Sequence, residues 1–234
     1  MLHKAAVYVT SSRPVISMHR VPPEGVNGLA KQNPLVEAMH MIGATMSFPS
    51  EAEIFGEGEE ADYAYQVVSG VVRTSKILID GRRQVGGFYL PGDIFGLEFR
   101  DEHTFSAEAI TDTKVVVVKR NMLMAVAGGD TGLSRELMAL TGRELRRVQN
   151  RVLLLVKSAE QRVAYFLLEM AERARGGNVV ELPMVRQDIA DYLGLTVETV
   201  SRTLSSLAHS AAIELSTSRR IVLRNRSALR ILNA

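Results

Sequence analysis

Asp188-Ile-Ala-Asp-Tyr-Leu-Gly-Leu-Thr-Val-Glu-Thr-Val-Ser-Arg-Thr-Leu-Ser-Ser-Leu207 is the stretch whose reading decides the fold. Ile189, Ala190, Leu193 and Leu195 are spaced for a short helix that stops at Gly194, where glycine relieves the turn. A second helix starts after Thr196, which can cap it, and its Val197, Val200, Leu204 and Leu207 recur at helical spacing to face inward. The polar face is then Glu198, Ser201, Arg202 and Ser205. Two short helices joined by a tight glycine turn predict a helix-turn-helix, whose second helix enters the major groove of DNA and reads bases near its N-terminus.

Arginine can donate two hydrogen bonds to guanine O6 and N7, and a carboxylate can accept from the cytosine amino group. Arg202 and Glu198, one turn apart, can therefore read one G·C pair or adjacent pairs. The competing explanation is an i,i+4 ion pair on a solvated helix, which stabilises by about 0.2–0.5 kcal/mol. The glycine turn and the apolar spacing favour DNA.

The run from Arg186 through Asp188, Gly194 and Thr196 to Arg202 resembles the helix-turn-helix of Crp/Fnr transcription regulators. The Glu-x-x-Ser-Arg order of Glu198, Ser201 and Arg202 is similar to the Fnr and FixK branches, which read TTGAT half-sites. Val197 and Ser201 depart from the Arg-Glu-x-x-Gly-Arg pattern of the catabolite-activator branch. The resemblance implies an effector-type barrel, a dimer helix and a C-terminal winged helix. Val197, Glu198, Ser201 and Arg202 are the expected base readers; Thr196, Thr199, Ser205, Arg186, Arg219 and Arg220 are the expected DNA backbone contacts.

Charge is divided along the chain. From Arg143 onward there are 15 Lys and Arg against 9 Asp and Glu, whereas residues 1–142 hold 13 against 17. The basic half carries the helix-turn-helix, as phosphate contacts require. With 234 residues, two modest domains and a sizeable core are possible. There is no cysteine, so disulfides, thiol nucleophiles and cysteine-ligated zinc or iron-sulfur clusters are excluded. No stretch reaches membrane-spanning length, and a cytoplasmic protein with no membrane partner is expected.

Residues 1–33 mix Ser, Pro, Gly and single charges and are expected to be a poorly ordered leader. Asn33 or Pro34 can open a short helix with Leu35, Val36, Met39 and Ile42, ending before Gly43. From Ala44 to about Lys119, short apolar or alternating runs are separated by turns at Ser69-Gly70, Asp80-Gly81 and Pro91-Gly92-Asp93. About eight strands in an antiparallel barrel or jelly roll are predicted. Leu90-Pro91-Gly92-Asp93-Ile94-Phe95-Gly96 resembles the Pro-Gly-Asp-x-x-Gly segment of cyclic-nucleotide-type barrels. Nucleotide-binding members follow it with a Gly-Glu pair and an Arg-Ser pair, whose arginine holds the cyclic phosphate. This chain has Gly96-Leu97-Glu98 and Phe105-Ser106. An aromatic ring cannot neutralise a phosphate, so no cyclic nucleotide is expected, and Glu98 reads as a solvated or hydrogen-bonded loop carboxylate. The five histidines show no paired ligand spacing, and His40, between Met39 and Met41, fits a core or interface helix better than haem. No cofactor is expected.

After Gly128-Gly129, Met138, Thr141, Leu145, Val148, Val152 and Leu155 fall at alternating steps of three and four, an a/d seam. Packing on the chain's own barrel is one explanation. A parallel homodimer accounts better for the persistence of the seam and suits a two-fold DNA site. Ser158-Ala-Glu-Gln161 is a capping box opening a further helix with Val163, Phe166, Leu167 and Met170. Val179 to Leu182 reads as a short strand, Ile213–Ser216 and Ile221–Leu223 as a wing turning at Thr217 to Arg220, and Ser227 as the cap of a last helix.

The fold class expected is α+β: leader 1–33, sensory-type barrel 34–127, dimerisation helix 130–157 and winged helix-turn-helix 158–234. The function expected is a homodimeric, sequence-specific transcription activator with double-stranded DNA and RNA polymerase as partners. By resemblance its targets are low-oxygen respiration, denitrification or nitrogen-fixation genes. A ligand- or haem-gated regulator is the alternative. A metal-dependent cupin enzyme is disfavoured because His103 is the only histidine in the predicted strand region from Ala44 to about Lys119.

Overall fold

The computed structural model describes residues 33–98, 100–173 and 177–233. The expectation for the leader lies outside these residues, apart from Asn33. Helix α1 (Pro34–Ile42) begins as its sequence suggests. The Asn33 side chain accepts hydrogen bonds from the Leu35 and Val36 amides, proline takes the first turn, and Leu35, Val36 and Met39 are buried.

Eight strands follow: β1 (Ala44–Phe48), β2 (Glu53–Phe55), β3 (Tyr63–Ser69), β4 (Val72–Ile77), β5 (Arg83–Tyr89), β6 (Ile94–Phe95), β7 (Ser106–Ala109) and β8 (Thr113–Lys119). They form two four-stranded antiparallel sheets, ordered β1-β8-β3-β6 and β2-β7-β4-β5. The expected barrel or jelly roll takes this form. Phe48, Phe55, Tyr65 and Phe95 fill the space between the sheets with Val67, Val72 and Val115. The valine run of β8 does not alternate with polar residues because both its faces are covered. Val115 and Val117 point into the sandwich, whereas Val116 and Val118 pack beneath α1 and the helices after the barrel.

Those helices are α2 (Arg120–Gly129) and α3 (Thr131–Leu154). Asp130 caps α3 by accepting from the Gly132 and Leu133 amides. Helix α3 has two apolar stripes. Leu133, Leu137 and Leu140 pack against the barrel, whereas Met138, Leu145, Val148 and Val152 are more than half exposed. The seam read from sequence is therefore not the stripe that the barrel covers.

The C-terminal unit comprises α4 (Ala159–Arg173), β9 (Val179–Glu181), α5 (Arg186–Leu193), α6 (Val197–His209), β10 (Ile213–Leu215), β11 (Arg220–Leu223) and α7 (Arg226–Asn233). The Ser158 box forms as expected: its amide donates to Gln161 Oε1 at 2.9 Å, and its Oγ accepts from the Gln161 amide at 3.3 Å. The three-stranded sheet β10-β11-β9 completes a winged helix-turn-helix. Its core runs on into Val85 and Phe88 of β5, so the second barrel sheet and the winged helix share one apolar cluster. A bulge at Gly86 makes this possible, because Thr74 pairs with Gly87 while Ser75 pairs with Val85. The extra residue brings Val85 and Phe88 onto the same side of the sheet.

Gly194 and Gly70 both adopt left-handed backbone, φ +65 and +84. A Cβ at Gly194 would meet only Arg162 Nη1 at 3.6 Å; at Gly70 it would lie 2.3 Å from Thr113 Oγ1 and 2.5 Å from the Asp112 carbonyl. Gly194→Ala is expected to cost about 1–2 kcal/mol of conformational strain, and Gly70→Ala more than about 3 kcal/mol because packing must also yield. Urea midpoints check this; equal losses would contradict it.

Candidate nucleic-acid interface

Helix α6 buries Val200, Leu204 and Leu207 and leaves Glu198, Ser201, Arg202 and Ser205 on its outer face. Thr196 caps it, its hydroxyl accepting from the Thr199 amide at 3.2 Å. Val197 is half-buried and packs on the core, so it reaches the outer face only in part. Hydrogen bonding to its own backbone amide, then to the Thr196 hydroxyl, holds the Glu198 carboxyl below the usual carboxylate range, with Arg202 contributing least. Glu198 and Arg202 are both exposed on this face.

The rest of the expected backbone set is spread around this helix. Arg219 and Arg220 are exposed at the wing turn, where Thr217 Oγ1 accepts from both their amides at 3.2 and 3.0 Å. Arg220 Nε lies 3.5 Å from Glu181 Oε1. Arg186 is half-buried, and its Nη2 donates to the Ser218 carbonyl at 3.0 Å, so it braces the wing from behind. Ser205 Oγ donates to the Ser201 carbonyl at 3.1 Å.

Several positioning residues were not apparent in the sequence. Arg162 of α4 donates to the Leu155 and Lys157 carbonyls, each at 3.0 Å, and to the Leu193 carbonyl at 3.0 Å. It ties the end of α3 to the end of α5. On the barrel side, Arg73 Nη1 donates to Asp188 at 3.2 and 3.3 Å, Arg83 Nη2 to Asp188 at 2.6 Å and Arg83 Nε to Asp191 at 2.7 Å. Burial opposes the charge of Arg73, but Asp188, Glu108 and Glu51 outweigh it and keep the guanidinium cationic. The only sequence signal was an arginine in mid-strand between Val72 and Thr74; nothing in it named the partner.

A cavity of about 600 Å³ lies between the barrel, α3 and α5, with Thr74, Tyr89, Phe105, Glu144, Arg151 and Tyr192 among its walls. Phe105 closes over Gly86, where a Cβ would come within 2.9 Å of its ring. Glu98 also lines this cavity and accepts from the Thr104 amide at 2.9 Å. His103 is buried with its ring stacked 3.6 Å from that of Phe55, and burial pushes its pKa down.

Two family models match: a Crp-like helix-turn-helix domain over residues 161–232 and a cyclic nucleotide-binding domain over residues 45–128. The chain is 49% identical over 199 residues to a nitrogen fixation regulation protein FixK of Azorhizobium caulinodans, covering 82% of this chain and 80% of that one. The chain belongs to the Crp/Fnr family, in its FixK-like branch. It is 42% identical to a nitrogen fixation regulation protein FixK of Rhizobium meliloti, with 84% of this chain and 94% of that one covered. The structure of FixK2 from Bradyrhizobium japonicum superposes with a TM-score of 0.78 at 51% identity, covering 82% of this chain and 98% of that one. A transcription regulator with a DNA-binding helix-turn-helix is thereby established. Among the described residues, no helix is long and apolar enough to cross a membrane.

Proposed function

We propose that the protein binds as a homodimer to a TTGAT-type inverted repeat and activates transcription without a cyclic nucleotide. The observation that carries this reading is the outer face of α6, where Glu198, Ser201 and Arg202 are exposed together on the most basic half of the chain. Arg202 reads guanine O6 and N7, and Glu198 accepts from a cytosine amino group. Arg219, Arg220, Thr199 and Ser205 contact phosphates, with the Thr196 cap at the helix N-terminus. Val197 offers its free side to a thymine methyl group.

Homodimerisation is supported by the outer stripe of α3. Met138, Thr141, Leu145, Val148, Val152 and Leu155 repeat along it, and a fully buried side chain of this kind contributes about 1.5–3 kcal/mol. A second copy of the helix is the partner that matches a seven-residue repeat. Two recognition helices related by a two-fold axis would then take half-sites about one DNA turn apart. RNA polymerase is the further partner that activation requires. The names of the FixK relatives suggest nitrogen-fixation genes as targets. The cavity beneath α3 gives the ligand-gated alternative a place for an effector, although Phe105 stands where nucleotide-binding members carry a phosphate-holding arginine.

Arg202→Ala is expected to cost about 1–3 kcal/mol of specific binding and to relax discrimination at its G·C pair. Equal loss on random DNA would reduce Arg202 to a phosphate contact. Val148→Glu is expected to yield a monomer in sedimentation velocity with weakened operator binding; an unchanged dimer would place the interface elsewhere.

A further inference from the structure

The winged helix is attached to the rest of the chain covalently and through several side-chain contacts, among them Arg173 of α4, which donates to the Phe88 carbonyl and to Asp93, and Arg162, which joins the ends of α3 and α5. The covalent attachment is the short connection from Leu154 at the end of α3 to Ala159 at the start of α4. By itself such a connection leaves the unit free to rotate. The contact made by helix α5 itself is the ion-pair cluster with neighbouring strands β4 and β5. Arg73 and Arg83 both grip Asp188, Arg83 also takes Asp191 at 2.7 Å, and Gln84 Nε2 donates to the Asp191 carbonyl at 2.6 Å. The barrel preorganises its side of this contact, because Arg73 is held by Glu108 at 2.8 Å and Glu51 at 3.2 Å. Phe88 lies beside it, 5.3 Å from Tyr192 and 6.1 Å from Phe166.

Helix α5 cannot move without α6, since Ile189, Ala190 and Leu193 share one core with Val200, Leu204 and Leu207. Whatever fixes α5 on the barrel therefore fixes the recognition helix. With the cluster closed, Glu198, Ser201 and Arg202 are exposed. The contact holds the reading face outward; it does not cover it.

We propose that Arg73 and Arg83, closed on Asp188 and Asp191, are positioning residues that set the angle of the recognition helix and so fix the half-site spacing the dimer accepts. The inference rests on the DNA-reading function proposed above. A rigid attachment of α5 lets a barrel with no bound effector present two recognition helices at one separation. Opening the clasp leaves each helix able to read a half-site but no longer holds the pair in register. Coupling between domains is typically worth about 5- to 150-fold in affinity.

The chain has no cysteine, so a single introduced thiol can be modified alone. Full-length Arg83→Cys is to be titrated against inverted repeats whose spacer is the preferred length or one base pair shorter or longer, and against a single half-site. The Arg83 side chain is 25% exposed, open to reagents. The expected result is a loss of about tenfold on the preferred spacer, a flattened spacing preference and unchanged half-site binding. Modification with aminoethyl methanethiosulfonate, which returns a cation, restores the preference; the anionic sulfonatoethyl reagent does not. Asp191→Asn, which removes the facing charge at constant shape, shows the same flattening and serves if the cysteine variant folds poorly. Unchanged spacing preference, tighter binding by the variant, or equal rescue by both reagents would overturn the clasp. Wild-type protein that fails to select the inverted repeat over scrambled DNA would instead overturn the DNA-reading function, and the clasp with it.

Discussion

The Asp188 carboxylate is 1% exposed, and its burial is the constraint on which the arrangement of the two units depends. A buried charge without partners costs several kcal/mol, and removing one partner of a buried pair typically costs about 3–5 kcal/mol. Asp188 meets this demand with two arginines from the barrel and with the Val185 amide at 3.3 Å, at the start of its own helix. One side chain thus begins α5, satisfies Arg73 and joins the reading unit to the sheet. The aromatic contact of Phe88 with Tyr192 supplies apolar burial at the same boundary, and the ion pairs give it a fixed register.

The elements that were legible in the sequence are those with local causes. The helix-turn-helix followed from apolar spacing around Gly194, the α4 start from Ser158 and Gln161, and the α1 start from Asn33 and Pro34. Strand β8 was legible as an apolar run although not as an alternating one, since its two covered faces belong to different clusters. What could not be read depends on distant partners. Asp188 reads locally as an acidic first-turn residue, yet Arg73 lies 115 positions away in sequence. Arg186 reads as a DNA backbone contact, and its bond to the Ser218 carbonyl, 32 positions away in sequence, has no local signal. His103 is buried with its ring stacked on that of Phe55, a partner 48 positions away that nothing local to it names.

Helix α3 illustrates both sides of this division. Its repeat of Met138, Leu145, Val148 and Val152 is visible in the sequence, but periodicity alone cannot say which of two apolar stripes meets the barrel. Packing answers it: Leu133 and Leu140 go inward, and the repeating stripe stays outside. The exposed polar face of α6 was legible in the same sense, and Val197 beside it is half-buried because it packs on the core.

The central claim is that this FixK-like chain reads DNA without a small molecule in its barrel. The most direct test is a titration of purified, ligand-free protein against duplexes carrying a TTGAT inverted repeat and a scrambled control at fixed salt. Tight binding to the repeat and at least about a thousandfold weaker binding to the control are expected. Equal binding to both, or selectivity that appears only when an effector is added, would contradict it.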